Sequence, residues 1–387
     1  MRADLSDLLD RAAVAETAQS IAAAQRADGA IPWEPGRHVD PWDHVECAMA
    51  LDVAGRHAEA RAAYDWLAAT QRADGSWAAR YERGRAVEHH AETNFTAYVA
   101  VGLRHHILAT GDTDALRELW PVARRAIEFV LDLQDAGGQV WWARGRDGGP
   151  DHLALITGGS SVHHSLRNAA RLAEDLGEAK PEWELAADRL AHALVAHPER
   201  FADRGRWSMD WYYPVLGGVM AGDAARTRID AEWDRFVVPG LGIRCVSDRP
   251  WVTGAETCEL ALALAAIGET ERAAEQVAAM QHLRHHDGSY WTGYVWPDDA
   301  RWPVERSTWT GAAVLLAADA IAGGPTREAF RAGTAAGDHA ECCELTAADL
   351  QTTPGPGQAE DVSAAARDVA VAGRGVTARA GAPGASG

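Results

Sequence analysis

Acidic side chains recur where apolar, small-residue-rich helices are predicted to begin. A single acid at such a start is stabilised by the helix dipole by about 0.3–1 kcal/mol and needs no catalytic role. Several acids at several helix starts can face one another across a cavity, and facing carboxyls can perform general acid–base chemistry. The segments are PWDHVE with Asp43 and Glu46, HHAETNF with Glu92, SMDWYYP with Asp210, GAETCE with Glu256, VERSTW with Glu305 and, less regularly, RDGGPDH with Asp147 and Asp151.

Aromatic residues accompany the same carboxylates. The chain holds 16 tryptophans against 5 phenylalanines, more indoles than a purely apolar core needs. Rings beside carboxylates suit a sugar, because its apolar face stacks on the ring while its hydroxyls bond to the acids. They also suit an isoprenoid, since aromatic faces stabilise carbocations. The candidate substrate-binding residues are Trp42, Glu92, Trp141, Trp142, Asp210, Tyr212, Trp291, Trp296 and Trp309.

Two kinds of helix alternate along the chain and would position these residues. The amphipathic, charged kind can face water, whereas the more apolar kind must be buried. The amphipathic helices are predicted at about 5–26, 57–72, 113–135, 182–197, 222–236 and 268–282. The apolar helices are predicted at about 42–55, 91–109, 158–176, 210–221, 255–267 and 306–322. Six such pairs predict an all-α fold, an (α/α)6 toroid with an inner and an outer ring; an open helical solenoid is the alternative.

A loose repeat supports the toroid. The segments QRADGAIPW, QRADGSW, QDAGG and QHLRHHDG follow amphipathic helices and begin at Gln25, Gln71, Gln134 and Gln281. Glycine adopts the left-handed conformation that ends a helix at little cost, so each segment is expected to turn the chain back into the ring. We therefore predict a toroid over 1–325, a short helical extension over 326–351 and a disordered, Pro/Gly/Ala-rich tail over 352–387.

The toroid resembles two families. The Q-x-x-D-G-x-W pattern, clearest in RAAYDWLAATQRADGSW, is similar to the QW motifs of terpene cyclases and protein prenyltransferases. The stretch from Thr110 to Trp142, TGDTDALRELWPVARRAIEFVLDLQDAGGQVWW, looks like an outer helix of six-hairpin glycosidases. The chain lacks the D-x-D-D and D-D-x-x-D motifs of cyclases and prenyl-diphosphate enzymes, which favours the glycosidases.

The glycosidase resemblance implies two carboxyl groups, one protonated on the leaving oxygen and one ionised. Glucoamylase-like enzymes place a carboxylate just before the last inner helix, so Glu305 is predicted as the base. Asp147 matches the loop that carries the acid, although a glutamate is usual there. Asp43 and Glu256 are rivals for these roles. The alternatives are a prenyltransferase or squalene-cyclase-like enzyme and a non-catalytic toroid that binds glycan or protein.

The amino-acid composition makes some classes of binding partner unfavourable. The net charge of −19 argues against nucleic acid and anionic membranes as main partners, leaving a small-molecule or oligosaccharide substrate. We expect neither a membrane span nor a cofactor, and a cytoplasmic location, because the first residues carry no apolar signal core. No metal is predicted; Asp43, His44 and Cys47 form a weak zinc alternative, since a zinc site needs well-placed ligands from several segments. The sequence does not specify the sugar, the linkage or the stereochemical outcome.

Overall fold

The structure, a computed structural model, describes residues 9–331. Its outer ring contains α1 (Arg11–Ala24), α3 (His57–Thr70), α6 (Thr113–Leu131), α8 (Pro181–Ala196), α10 (Gly222–Phe236) and α12 (Thr270–Ala279). Its inner ring contains α2 (Pro41–Val53), α4 (Thr93–Ala97) continued by α5 (Val99–Thr110), α7 (Ile156–Asp175), α9 (Ser208–Leu216), α11 (Gly254–Ala266) and α13 (Thr308–Ala322). The predicted (α/α)6 toroid and its twelve helix positions are confirmed.

The inner helices are buried over nearly their whole circumference. Helix α13, with the sequence TWTGAAVLLAADAIA, buries every residue but its last, and α11 buries all but its last. The outer helices bury one stripe, as in α6, where apolar side chains such as Leu116, Leu119 and Ile127 face inward. Because removal of apolar area from water drives this packing, the difference in composition decides which helices form the inner ring.

The repeated glutamines join neighbouring outer helices. The side-chain amide of Gln71, at the end of α3, donates to the carbonyl of Gly75 and to that of Val122 in α6, both at 2.9 Å. We call this arrangement the glutamine stitch. It recurs from Gln25 to Gly29 and Glu59 in α3, and from Gln134 to Gly138 and Ala186 in α8.

The last repeat closes the ring in a different way. The Gln281 amide, just after α12, donates to the Val277 carbonyl of that helix, and its Oε1 accepts from the Tyr290 hydroxyl. Gly288 instead packs against Glu16 of α1, and the Thr17 hydroxyl donates to the Gly288 carbonyl at 2.9 Å. Each repeat therefore fastens one outer helix to the next, and the final one fastens the end of the ring to its beginning.

Replacing Gly75 with alanine is expected to lower the free energy of unfolding by about 2–4 kcal/mol. Its φ is +91°, and an added Cβ would lie 2.2 Å from the Arg125 carbonyl oxygen, so strain and a backbone clash combine. Gly55→Ala is the matched control, because Gly55 has a φ of +74° but nothing within 4 Å, and its cost should be about 1–2 kcal/mol. Denaturant unfolding measures both; equal losses would show that the close approach at the stitch is unimportant.

Short antiparallel strands, which the helical patterns did not predict, lie between the helices. They form three small sheets, and two of their strands lead directly into inner helices: β3 into α4 and β8 into α11. The largest sheet has the order β10-β9-β8-β7-β6. Strand bounds are β1 Arg80–Glu82, β2 Arg85–Glu88, β3 Ala91–Glu92, β4 Ala143–Arg144, β5 Pro150–Asp151, β6 Val237–Val238, β7 Gly242–Arg244, β8 Trp251–Thr253, β9 Gly293–Val295 and β10 Ala300–Arg301.

A final short helix, α14 (Pro325–Ala329), packs on the inner ring. Thr326 lies 3.0 Å from the His105 ring, and Phe330 stacks on His164 with ring centroids 4.8 Å apart. These residues begin the extension predicted over 326–351. The remainder of that extension and the tail predicted to be disordered over 352–387 lie outside the described residues.

Candidate active site

Buried carboxyl groups lie in the first turns of three inner helices. Asp43 is in the first turn of α2, Asp210 in that of α9 and Glu256 in that of α11. Their exposed fractions are 8 %, 5 % and 6 %, so each is shielded but not sealed. We call the space between these helix starts the funnel.

Asp43 belongs to a pair of carboxyls. Asp40 is the N-cap of α2, and its Oδ1 accepts a hydrogen bond from the Asp43 backbone amide at 2.9 Å. Burial raises the pKa of Asp43 well above its ordinary value, and the charge of the adjacent Asp40 carboxyl raises it further. The carboxylates Glu46 and Glu259 act in the same direction. Asp43 therefore lies where burial and neighbouring negative charge both favour the protonated form of its carboxyl.

Glu256 is placed by the strand-to-helix junction at the end of β8. Burial raises the pKa of this carboxyl, while Thr253 and Cys245, both beside it, act in the opposite direction. The N-terminal dipoles of α2 and α11 act alike on Asp43 and Glu256, since each lies in a first turn, and they favour the ionised form of both. Burial thus raises the pKa of both Asp43 and Glu256, and of the two only Asp43 has other carboxyls among the groups that raise its pKa further.

A second pair of carboxyls lies one helical turn further along the same two helices. Glu46 follows Asp43, and Glu259 follows Glu256, each by three residues, a spacing that puts both members on one helix face. Tyr98 donates a hydrogen bond to Glu46. Burial raises the pKa of Glu46 to about 7, and the Tyr98 hydrogen bond opposes that shift.

Two adjacent tyrosines hold Glu259. Tyr213 donates to its Oε1 at 2.6 Å, and Tyr212 donates to its Oε2. The sequence predicted Tyr212 as a substrate-binding residue; the structure buries it completely, on the Glu259 carboxyl. Glu46 was predicted among the acids at the inner-helix starts; Glu259 was not, although the repeated acid-x-x-acid spacing in DHVE and ETCE was a signal for it.

Trp42 lies between the tyrosines that hold Glu46 and Glu259. Its ring stacks on Tyr98 with centroids 3.7 Å apart and lies 6.4 Å from the ring of Tyr213. Only 8 % of Trp42 is exposed, so its ring lies largely within the packed inner ring.

One side of the funnel rim is built around Glu92, the last residue of β3, which directly precedes α4. The Trp142 indole donates to Glu92 Oε2 at 3.1 Å, and the His90 ring lies 3.3 Å from Oε1. Burial raises the pKa of Glu92. Trp141, next to Trp142, contacts the ring of His152 edge to face.

The other side of the rim is built around Glu305, before α13. Thr292 lies 3.4 Å from its carboxylate, and burial raises its pKa, with Trp33 beside it acting in the opposite direction. Trp33 in turn lies 5.9 Å from Trp309. Glu34 and Arg37, from the loop before α2, are the charged groups that act most on Glu305.

Two further predicted aromatics each lie against an arginine. Arg306 lies over the ring of Trp291 at 5.4 Å, and Arg244 lies over that of Trp296 at the same distance. Both indoles are partly exposed. They sit on the segments around β9, which precede Glu305 in the chain.

Two predicted acids have clear local partners. Asp147 is exposed in the turn between β4 and β5, where its Oδ1 accepts from the Gly149 amide at 3.1 Å. Asp210 is buried, and its Oδ1 accepts from the Thr157 hydroxyl at 2.5 Å, which ties the start of α9 to that of α7. The other oxygen, Oδ2, is buried without a hydrogen-bond partner among the described residues.

The zinc alternative at Asp43, His44 and Cys47 lacks a free imidazole nitrogen. His44 Nδ1 accepts from the Ile31 amide at 3.0 Å, and Nε2 lies 2.9 Å from the Ala63 carbonyl oxygen. Across residues 9–331, no three His, Cys, Asp or Glu side chains are grouped to hold a metal ion. In the same part of the chain, no helix is both long and apolar enough to cross a membrane.

Solved structures with the same fold support the toroid. A glycosidase variant solved in complex with glucose superposes with a TM-score of 0.64 at 16 % identity, over 80 % of this chain and 96 % of that one. D-mannose isomerase superposes with a TM-score of 0.59 at 11 % identity, over 80 % and 96 %. These likenesses show the fold, which hosts more than one sugar chemistry. No protein-family model matches the chain.

Sequence similarity to a named enzyme identifies the class of reaction. The chain is 58 % identical over 306 residues to the MMP endo-(1,4)-3-O-methyl-alpha-D-mannosidase of Mycolicibacterium hassiacum, which covers 79 % of this chain and 85 % of that protein. The protein is therefore a glycoside hydrolase on an (α/α)6 toroid. It belongs to the family of that endo-mannosidase. This result confirms the glycosidase prediction and gives no support to the isoprenoid alternative.

Proposed function

We propose that the protein hydrolyses internal α-(1→4) bonds in chains of 3-O-methylmannose, the reaction that the name of its Mycolicibacterium relative states. The observation that carries the proposal is the pair of shielded carboxyls, Asp43 and Glu256, in the funnel of a chain so similar to that relative. A funnel lined by carboxyls and indoles also fits a neutral glycan better than an anionic one.

We propose Asp43 as the general acid and Glu256 as the ionised partner, acting as base or nucleophile. Asp43 is supported by its burial beside three other carboxyls, which favours the protonated form. Glu256 is supported by its place in the first turn of α11, beside Thr253 and Cys245. The exposed turn position of Asp147 favours it less as the acid, because a general acid needs a shielded site.

The rim residues are proposed to bind the sugar chain. Glu305 and Trp309 on one side, with Glu92 and Trp142 on the other, would contact sugars next to the cleaved bond. Trp42 would contact the sugar with the exposed part of its ring, and the free oxygen of Asp210 would accept from a sugar hydroxyl. Trp141, Trp291 and Trp296 would offer rings to sugars further along the chain, consistent with internal cleavage.

The experiment is a digestion of synthetic α-(1→4) oligomers of 3-O-methylmannose beside matched unmethylated oligomers, followed by mass spectrometry. We expect early products of intermediate length from the methylated chains and at least tenfold slower cleavage of the unmethylated ones. Monosaccharide as the first product would contradict internal cleavage. Faster cleavage of the unmethylated chains would contradict the proposed substrate.

We also propose that the enzyme acts in the cytoplasm. The described cysteines, Cys47, Cys245 and Cys258, are buried free thiols, a state that a reducing compartment maintains. Fractionation of cells that express the tagged protein tests this location, and recovery outside the cytoplasmic fraction would overturn it.

A further inference from the structure

Two partly exposed tryptophans meet at one end of the five-stranded sheet. Trp251 begins β8, and Trp302 directly follows β10. Their rings lie edge to face with centroids 4.9 Å apart, and Trp251 Nε1 donates to the Trp302 carbonyl at 2.8 Å. Because that hydrogen bond satisfies the Trp251 N–H, the rest of the ring offers only carbon surface to a ligand.

Gly293 of β9 makes this contact possible. A Cβ at this position would lie 2.3 Å from Trp251 Nε1 and 2.9 Å from the Trp302 carbonyl oxygen. The φ of Gly293 lies outside the left-handed region, so the close approach of the indole, rather than the backbone conformation, requires glycine here. The sheet therefore leaves out a side chain at the point where the two indoles meet.

The two indoles lie on the sheet face that is turned toward Glu256. Side chains alternate along a strand, so Trp251 shares its face with Thr253. Cys245 lies opposite Trp251, since its amide donates to the Trp251 carbonyl at 3.4 Å, and opposite residues of paired strands share a face. Thr253 and Cys245 are the two side chains beside the Glu256 carboxyl. Trp251 is therefore a neighbour of the proposed ionised partner on this face.

The charged residue of β10 lies on the other face of the sheet. The Arg301 guanidinium packs over the Tyr294 ring at 4.6 Å. Tyr294 pairs with Arg301 and with Val252, and Val252 is next to Trp251 in the chain, so this face is opposite to the indole face. The indole face thus receives no positive charge from β10, and an apolar group suits it better than an anionic one.

A short turn adds an apolar side chain to the two indoles. The Trp302 amide donates to the Gly293 carbonyl at 3.0 Å, and the Thr292 amide donates to the Glu305 carbonyl at 3.2 Å. These bonds fix both ends of the turn, and Glu305 at its far end is the rim carboxylate. Val304, between them, is 83 % exposed, the most exposed large apolar side chain in the described part of the chain. A ligand that covers Val304 would recover hydrophobic free energy that folding leaves unused.

We call Trp251, Trp302 and Val304 the indole corner. We propose that the indole corner binds the 3-O-methyl group of a sugar next to the cleaved bond and makes the enzyme selective for methylated chains. The inference rests on the proposed function, from which the methylated substrate is taken. A methyl ether has no O–H, so its burial against carbon leaves no donor unpaired, whereas a free hydroxyl there would lose its hydrogen bonds to water. A single methylene in an apolar pocket changes kcat/KM by about 10–200-fold, which is the size of effect expected here.

The test compares kcat/KM on methylated and unmethylated α-(1→4) oligomers of equal length. Trp302→Ala should lower kcat/KM about tenfold or more on the methylated oligomer and change it by less than about threefold on the unmethylated one. Val304→Thr keeps the shape of an exposed side chain and adds a hydroxyl, so it should fold normally and lower the ratio of the two values by about threefold. Val195→Thr, the same change at a 47 % exposed position of outer helix α8, is the control and should leave the ratio unchanged.

The outcomes separate this inference from the proposed function. A wild-type preference for methylated oligomers that neither Trp302→Ala nor Val304→Thr reduces would overturn the inference and leave the proposed function intact. If wild-type enzyme cleaves neither oligomer, the proposed function fails, and calorimetric binding of the two oligomers decides the inference instead. Wild-type protein should then bind the methylated oligomer about tenfold more tightly than the unmethylated one, and Val304→Thr should reduce that difference. Equal affinities of the wild-type protein for both oligomers would show that the indole corner does not read the methyl group.

Discussion

Replacing Asp43 with asparagine is expected to lower kcat on methylated oligomannoside about a thousandfold, because asparagine cannot protonate the leaving oxygen. An aryl mannoside with an acidic phenol as leaving group needs no such proton, and on it the loss should be tenfold or less. Steady-state kinetics on both substrates measure the difference. Asp147→Asn is the control, and it should keep full activity on both substrates. If Asp147→Asn is inactive and Asp43→Asn is active, the assignment of the acid is wrong.

The same variant should not unfold. A carboxyl whose pKa is higher in the folded than in the unfolded protein gives stability that is complete below the unfolded value and is lost as the pH rises through the folded one. Burial and neighbouring acids raise the pKa of Asp43 in this way. Asparagine does not ionise, so Asp43→Asn should be at least as stable as the wild type at alkaline pH. Thermal unfolding at pH 6 and pH 9 checks this, and inactivity together with retained stability excludes misfolding.

Replacing Glu256 with glutamine is expected to lower kcat by a factor of about a thousand or more on both substrates, because neither can react without the ionised partner. The aryl mannoside, despite its good leaving group, should show the same loss of kcat as the oligomer, which distinguishes this variant from Asp43→Asn. Glu256→Ala opens space beside the sugar, and azide added to it should restore turnover and form a glycosyl azide. Glu256→Gln fills that space and should not be rescued.

Two results would contradict the role of Glu256. One is near-normal turnover by Glu256→Gln. The other is azide rescue of Glu305→Ala in place of Glu256→Ala, which would return the role to the carboxylate before the last inner helix.

The fold could be predicted from the sequence because the apolar and polar residues within each helix show which of its faces are buried. A helix such as α13, with no charged residue before Asp319, can only be an inner helix, and its neighbours on either side follow. The strands were missed because each is two to four residues long, too short to show an alternating pattern. They form only because the inner helices bring their loops together.

The site was predicted in part, since the sequence names the acids at helix starts but not their burial. Asp43 and Asp147 are the same residue type, so the sequence alone does not distinguish their surroundings. Asp43 lies among other carboxyls, whereas Asp147 caps an exposed turn. The contacts of Glu259 were missed for the same reason. Nothing near Glu259 in the chain indicates that Tyr212 and Tyr213 end on its carboxyl.

The glutamine stitch and the contact of Gly288 with α1 mean that the toroid has no terminal repeat. Open helical arrays need special end units with a polar outer face, whereas here every hairpin has a neighbour on both sides. Removal of one hairpin would break two interfaces at once, so the six should melt together. The Thr17–Gly288 hydrogen bond joins the last hairpin to the first. The hairpins are therefore held by contacts with their neighbours, and these contacts do not depend on which hairpin comes first in the chain. A circularly permuted gene that begins at another outer loop should therefore encode the same funnel.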